Sequence, residues 1–255
     1  MSVRITSFAI SDCGSRPYNE DAYADKDLMA GRCAVVADGA GGHRGGAIAS
    51  RLVIDTVMLS LAQAPRWDEA ALVASVDAAS IAIGQRQRSE PELREMASTV
   101  ALLCIDASAG TACWAHLGDT RIILFRNGSI ETLTRDHSIR QSFVDAGLTH
   151  GLNGAGPDRT MLYAAVGAEG DVRPSVGEHS ALEDGDAFLV CSDGVWDTVD
   201  ATRVSELLTH ADSVKEWISA IGAAVREAAK PNQDNYTALG LWVGSLAAPV
   251  GNKGR

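Results

Sequence analysis

The stretch Ala34-Val-Val-Ala-Asp-Gly-Ala-Gly-Gly-His43 (AVVADGAGGH) decides how this chain is read. A short apolar run ends on one carboxylate and then on almost nothing but glycine. The run itself reads as a strand over 33–37. A glycine-rich turn after a strand cradles phosphates in nucleotide-binding folds, whereas a carboxylate leading the turn can hold a metal ion. Both nucleotide patterns fail here. The dinucleotide fingerprint needs a third glycine where Arg44 stands, and a P-loop needs Lys and Ser/Thr where Ala47 and Ile48 follow Gly46. The metal reading survives.

The same pattern recurs along the chain. Phe188-Leu-Val-Cys-Ser-Asp193-Gly194 is again an apolar strand running into Asp-Gly, and His116-Leu-Gly-Asp119-Thr-Arg121 puts an aspartate in a tight link between two strands. Asp234 stands just before the last strand, and Arg16-Pro-Tyr-Asn-Glu20-Asp21 adds a cation and two acids. Single Asp-Gly pairs are ordinary turn formers. A set of strand-end aspartates is different, because paired strands lie about 4.8 Å apart and bring such ends together. Unpaired carboxylates that close raise one another's pKa, and hard divalent cations with oxygen ligands, Mg²⁺ or Mn²⁺, relieve the repulsion. The glycine after Asp38 and after Asp193 is expected to let the backbone turn sharply.

Hydrophobic periodicity places further strands at 3–10, 97–106, 111–118, 121–126, 129–133, 187–191 and 236–243, with Asn127-Gly128 as a hairpin turn. Helices are predicted at 44–64, 68–88, 138–146, 201–210 and 213–229, and a turn-rich loop at 147–160. No linker or repeat interrupts the pattern. The expectation is one domain over 1–244 and a flexible C-terminal tail over 245–255.

With 255 residues, 46% of them hydrophobic, the chain is long enough for a well-buried core. No apolar run approaches the roughly 20 residues that span a bilayer, and the N-terminus carries no basic-then-apolar leader. A cytoplasmic location is the expectation. The net charge of -11 argues against general binding to nucleic acid or to an anionic membrane surface. The five cysteines, Cys13, Cys33, Cys104, Cys113 and Cys191, show no CxxC and no zinc spacing, and read as small core residues. None begins the Cys-x₅-Arg pattern of a cysteine-dependent phosphatase.

Taken in order, Arg16-x-x-Asn-Glu-Asp21, Asp38-Gly-x-Gly-Gly-His43, Ser98-Thr-Val100, Gly118-Asp-Thr-Arg121, Ser192-Asp-Gly-x-Trp-Asp197 and Asp234-Asn235 resemble the metal-dependent serine/threonine protein phosphatases of the PPM type, also called type 2C. The DGxGGH form is closer to the bacterial branch. The resemblance implies an α+β fold, a four-layer α-β-β-α sandwich with two central, mainly antiparallel sheets. It implies that Asp38 bridges two Mg²⁺ or Mn²⁺ ions, that the Gly39 carbonyl, Asp193 and Asp234 complete the pair, and that Asp119 with Asp193 serves a third ion. Glu20 and Asp21 would orient water and Arg16 would bind the substrate phosphate. Implied partners are proteins phosphorylated on serine or threonine, together with a cognate bacterial kinase acting in a secretion or stress pathway. The protein itself is expected to be a monomer.

Departures from the pattern matter. Ala40 stands where eukaryotic relatives often carry a histidine proposed as general acid. His43 reads as a cap or packing residue, and Trp196 as packing for the loop that presents Asp193. His116, His137, His150, His179 and His210 show no metal spacing, and Trp67, Trp114, Trp217 and Trp242 read as core. Two rival classes remain open: a phosphoprotein-binding module without turnover, and a phosphomonoesterase for small molecules.

Overall fold

A computed structural model describes residues 4–41, 45–148, 161–168, 170, 173–228 and 231–244, with backbone alone at 178 and 179. Its strands form two sheets. One runs in the order β1 (Ile5–Asp12), β11 (Tyr236–Val243), β10 (Ala187–Cys191), β7 (Arg121–Arg126), β8 (Ser129–Thr132). The other runs β2 (Asp21–Leu28), β3 (Gly31–Ala40), β5 (Val100–Asp106), β6 (Thr111–Leu117), β9 (Ser175–Ala181), with β4 (Ala97–Ser98) joined to the end of β3. All of these pairings are antiparallel. Helices α1 (Gly45–Gln63) and α2 (Glu69–Ser89) cover the second sheet; α5 (Ala201–Thr209) and α6 (Val214–Ala228) cover the first. The expected four-layer α-β-β-α sandwich is what forms.

The strands' period-two alternation makes the layers visible residue by residue. On β3, Cys33, Val35 and Ala37 face α1 and α2, while Ala34 and Val36 face the other sheet. On β11, Ala238 and Trp242 face α6, and Leu239, Leu241 and Val243 face inward. The inter-sheet layer is thus a dry slab of Ala34, Val36, Ala101, Leu103, Ile105, Ile122, Leu124, Phe188, Val190, Leu239 and Leu241. Truncating a large member of such a slab to alanine costs about 2–5 kcal/mol.

Helix α1 is, by length and composition, apolar enough to cross a membrane, its window averaging a hydropathy of 1.4. This corrects the expectation that no segment comes near that mark, although Arg51 and Asp55 interrupt the run. Val53, Ile54, Val57 and Leu61 lie buried on the sheet.

Two strands escaped the hydrophobic pattern. β2 (DAYADKDL) and β9 (SVGEHSA) are polar because both lie at a sheet edge. Between the sheets, β2 also carries Asp25, which receives Arg32 in a forked ion pair and the Ser7 hydroxyl. The predicted strand 97–106 divides at Thr99 into β4 and β5. The hairpin at Asn127-Gly128 is as expected, with φ of 50° and 78°. The predicted helix at 138–146 is α3 (Ile139–Asp145), capped by the Ser138 hydroxyl. The bulk of the 147–160 loop (149–160), His43, His150, the side chain of His179 and the 245–255 tail lie outside the described residues.

Candidate active site

The inward rows that build the slab turn polar at one end of the sandwich. One alternation step beyond Val36 stands Asp38; beyond Val190, Ser192; before Leu239, Thr237; before Ala101, Thr99; and before Ile122, Thr120. The site is therefore the wet end of the inter-sheet core, made from the same strand faces. β2 adds Asp21 directly opposite Asp38 in the β2–β3 register.

Hydrogen bonds knit this end together. The Asp38 N–H donates to Thr99 Oγ1 (3.0 Å), Ser98 Oγ donates to the Asp38 carbonyl (2.9 Å), and the Thr99 and Thr120 hydroxyls pair at 2.5 Å. Ser192 Oγ donates to Asp21 Oδ2 at 2.7 Å. Asn235 anchors the N-terminal segment: its Oδ1 accepts from the Glu20 N–H (2.8 Å), and its Nδ2 donates to the carbonyls of Cys13 and Tyr18. Asp193 lies not at a strand end but in the first turn of a short helix, α4 (Asp193–Trp196). Trp196 on that helix donates Nε1 to the Asp119 carbonyl at 3.0 Å, which joins the two segments that carry Asp193 and Asp119.

The glycines do something other than expected. Neither Gly39 nor Gly194 has a positive φ. Each is a point of close approach: a Cβ on Gly39 would sit 2.0 Å from the Gly46 carbonyl oxygen, and one on Gly194 would sit 2.0 Å from that of Asn235. The sharp turn comes instead at Gly118, φ 108°, just before Asp119.

Electrostatics show that the acids share one setting. Burial first, then the charges of Asp21, Asp193, Asp119 and Asp234, push the Asp38 carboxyl well above its ordinary range. Burial and the neighbouring acids Asp193 and Asp234 raise Asp21 to about 7, although hydrogen bonds from Ser192 and Thr237 oppose the rise. Asp119 is raised to about 7 by burial and by Asp193 and Asp136. Asp193 is raised to about 6 by burial and Asp234, with a hydrogen bond from Asp38 working the other way. Glu20 is also raised, by burial and by Asp234. Glu20 Oε1 and Asp21 Oδ1 are buried with no hydrogen-bond partner among the described residues.

Arg16 reaches the same cluster, its Nη2 lying 2.8 Å from Asp234 Oδ2. Both side chains are about half exposed. Among the described residues, no three His, Cys, Asp or Glu side chains are already gathered tightly enough to hold an ion. Asp234 is paired with Arg16, Asp38 shares a hydrogen bond with Asp193, and the buried acids repel one another. The buried acids Asp38, Asp119 and Asp193, with Asp234 acting on them and the unpartnered oxygens of Glu20 and Asp21 in the same cluster, nonetheless offer a donor set of the hard, oxygen-only kind that suits Mg²⁺ or Mn²⁺. The residues fit the metals the sequence implies.

Thr99, Thr120, Ser192, Asn235 and Thr237 serve the site with no role assigned to them by the sequence pattern. Thr99, Thr120, Ser192 and Asn235 lie within its motifs, Ser98-Thr-Val100, Gly118-Asp-Thr-Arg121, Ser192-Asp-Gly-x-Trp-Asp197 and Asp234-Asn235. Thr237 carries no signal apart from its inward phase on β11. His116 and His137 are buried and stacked on each other, centroids 4.6 Å apart, consistent with a structural role. Trp67, Trp217 and Trp242 are core as expected, while Trp114 is partly buried against the slab. Cys33, Cys104, Cys113 and Cys191 are buried free thiols; Cys13 alone of the five is exposed.

Comparison with known proteins agrees with this geometry. The model of the family described as protein phosphatase 2C matches residues 14–235. The serine/threonine protein phosphatase PstP of Mycobacterium tuberculosis is 34% identical over 76% of this chain. That match covers only 36% of the relative, so the chain spans about a third of its length. The catalytic domain of PstP, solved in complex with two manganese ions, superposes with a TM-score of 0.80 at 28% identity, covering 95% of this chain and 100% of that one. The serine/threonine phosphatase of S. agalactiae gives a TM-score of 0.85 at 25% identity (94% and 99% covered). PppA, a key regulatory component of T6SS in Pseudomonas aeruginosa, gives 0.74 at 30% identity (94% and 97% covered). With its motifs, its two-sheet sandwich and its buried acids in agreement, the chain belongs to the protein phosphatase 2C family.

Proposed function

We propose that the protein is a Mg²⁺- or Mn²⁺-dependent phosphatase that hydrolyses phosphoserine and phosphothreonine in proteins by direct attack of water on phosphorus. The observation that carries this is the cluster of Asp21, Asp38, Asp119 and Asp193, which mutual repulsion and burial leave in need of cations, with the charge of the more exposed Asp234 acting on it. In this reading Asp38, the Gly39 carbonyl, Asp193 and Asp234 hold two ions, and Asp119 with Asp193 serves a third. When bound, the ions supply Lewis-acid activation of water and of the phosphoryl oxygens. Glu20 and Asp21, each with one unpartnered buried oxygen, would orient that water. Arg16, whose planar fork can take two phosphate oxygens, would hold the substrate phosphate. Ala40 has no proton to give, so the leaving alkoxide takes its proton from water. With four of the five thiols buried, no cysteine is called on as nucleophile.

The same reading sets a monomeric protein in the cytoplasm, opposing a serine/threonine kinase; the likeness to PppA supports a role in regulating secretion. The acidic chain, at -11, suits neither nucleic acid nor an anionic membrane as partner. Purified protein with Mn²⁺ should release phosphate from a phosphothreonine peptide, EDTA should stop it, and Asp193→Asn should reduce it at least about a hundredfold. Peptide binding by calorimetry without phosphate release would point to a binding module. Preference for sugar phosphates over phosphopeptides would point to a small-molecule esterase.

A further inference from the structure

A cleft of about 290 Å³ opens beside the carboxylate cluster, lined by Arg121, Asp136, Ser138, Arg140, Gln141, Val144, Trp196 and Asp197. Its inner wall is held by side-chain contacts. The Arg121 guanidinium carbon lies over the Trp196 ring, 3.6 Å from its centroid, and the guanidinium grips Asp136 with two hydrogen bonds of 2.9 and 2.6 Å. Because Trp196 also bonds the Asp119 carbonyl, this wall is shared with the acid cluster.

The cleft's two arginines and two aspartates balance in formal charge, but they are not all paired with one another. Arg121 and Asp136 neutralise each other, and Asp197 is not free either. Gln141 turns its amide to Asp145. Arg140 is half-buried on the wall, and its side chain makes no hydrogen bond or ion pair among the described residues. A cation partly withdrawn from water, next to an acidic centre on a chain of charge -11, is well placed to be read by a ligand.

Resting on the proposed phosphatase reading, we propose that this cleft is a specificity subsite in which Arg140 pairs with an acidic side chain flanking the phosphorylated residue. The occupant is a carboxylate of the substrate peptide. It would enter over the Trp196–Arg121 stack while the phosphate sits at the carboxylate cluster.

The test compares kcat/KM for phosphothreonine peptides carrying Glu, Ala or Lys at each position within three residues of the phosphothreonine. The wild type should prefer Glu over Ala at one such position by about 3- to 10-fold, a preference that declines with added salt. Arg140→Ala should bring the Glu/Ala ratio close to one, and Arg140→Glu should invert it in favour of Lys. Circular dichroism of both variants checks their folding. Wild-type turnover of para-nitrophenyl phosphate, which has no flanking residue, separates the two failures. Absent turnover of that ester sinks the phosphatase reading itself. Turnover with no Glu preference at any position, or with a preference that survives both substitutions, overturns the subsite alone.

Discussion

Asp21 and Asp38 face each other directly across β2 and β3, both buried and both held above the ordinary carboxylate range. Like charges opposite one another weaken a sheet, so this pair destabilises the metal-free protein and stores an affinity for cations. Asp21→Asn should raise the melting temperature of the metal-free protein by a few degrees, corresponding to about 1 kcal/mol. The same variant should lose at least about tenfold in turnover with Mn²⁺. A melting temperature that falls while activity holds would show that the facing pair is not under strain.

The raised acids also set a pH dependence. Burial and neighbouring acids push Asp21 and Asp119 up to about 7 and Asp193 up to about 6 in the folded, metal-free chain, against 3.8 ordinarily. Between those limits the folded state binds more protons than the unfolded one, so these groups remove stability as pH rises from about 4 to about 7. Cations that bind the ionised acids cancel the loss. The difference in melting temperature between Mn²⁺-loaded and EDTA-treated protein should therefore grow from pH 5 to pH 8. Scanning calorimetry at fixed ionic strength checks it; a difference that shrinks toward pH 8 contradicts the assignment of these acids to the metals.

Gly39 tolerates no side chain. A Cβ there would meet the Gly46 carbonyl at 2.0 Å and the Glu20 carbonyl at 2.9 Å, both backbone atoms that cannot swing away. Gly39→Ala should cost about 2–4 kcal/mol by overpacking and separate β3 from the start of α1. Urea unfolding should show a lower midpoint, with activity lost in parallel. Gly128→Ala makes a useful contrast: its Cβ meets nothing within 4 Å, although its φ of 78° still favours glycine.

Arg16 is half exposed and its ion pair with Asp234 is a surface contact, so Arg16→Lys should change stability by less than about 1 kcal/mol. Lysine keeps the charge and loses the planar fork, so kcat/KM should fall about 10- to 100-fold. An undiminished rate would remove Arg16 from the phosphate site.

Much of this was legible because the acids announce themselves by position. Asp38, Asp119 and Asp234 each sit in or beside an apolar strand, and the strands' alternation is strong wherever both faces are buried, as on β3, β5, β10 and β11. Legibility fails where a strand meets water or polar neighbours. β2 and β9 carry no apolar alternation because their edges and the Asp25–Arg32 pair suit them to other surroundings. The role of the glycines was misread for a related reason. Asp-Gly looks like a turn in sequence, but the demand for Gly39 and Gly194 comes from backbone far away in the chain, and no local pattern reports that.

Since the dry interior and the reactive end occupy one continuous set of strand faces, the two share a reading frame. Deleting a single residue from the middle of β3 would rotate Asp38 out toward the helices while Gly39, which has no carboxylate, took its place. Length changes inside these strands are thus doubly penalised, and variation between related enzymes should accumulate in the connecting loops and at the strands' far ends.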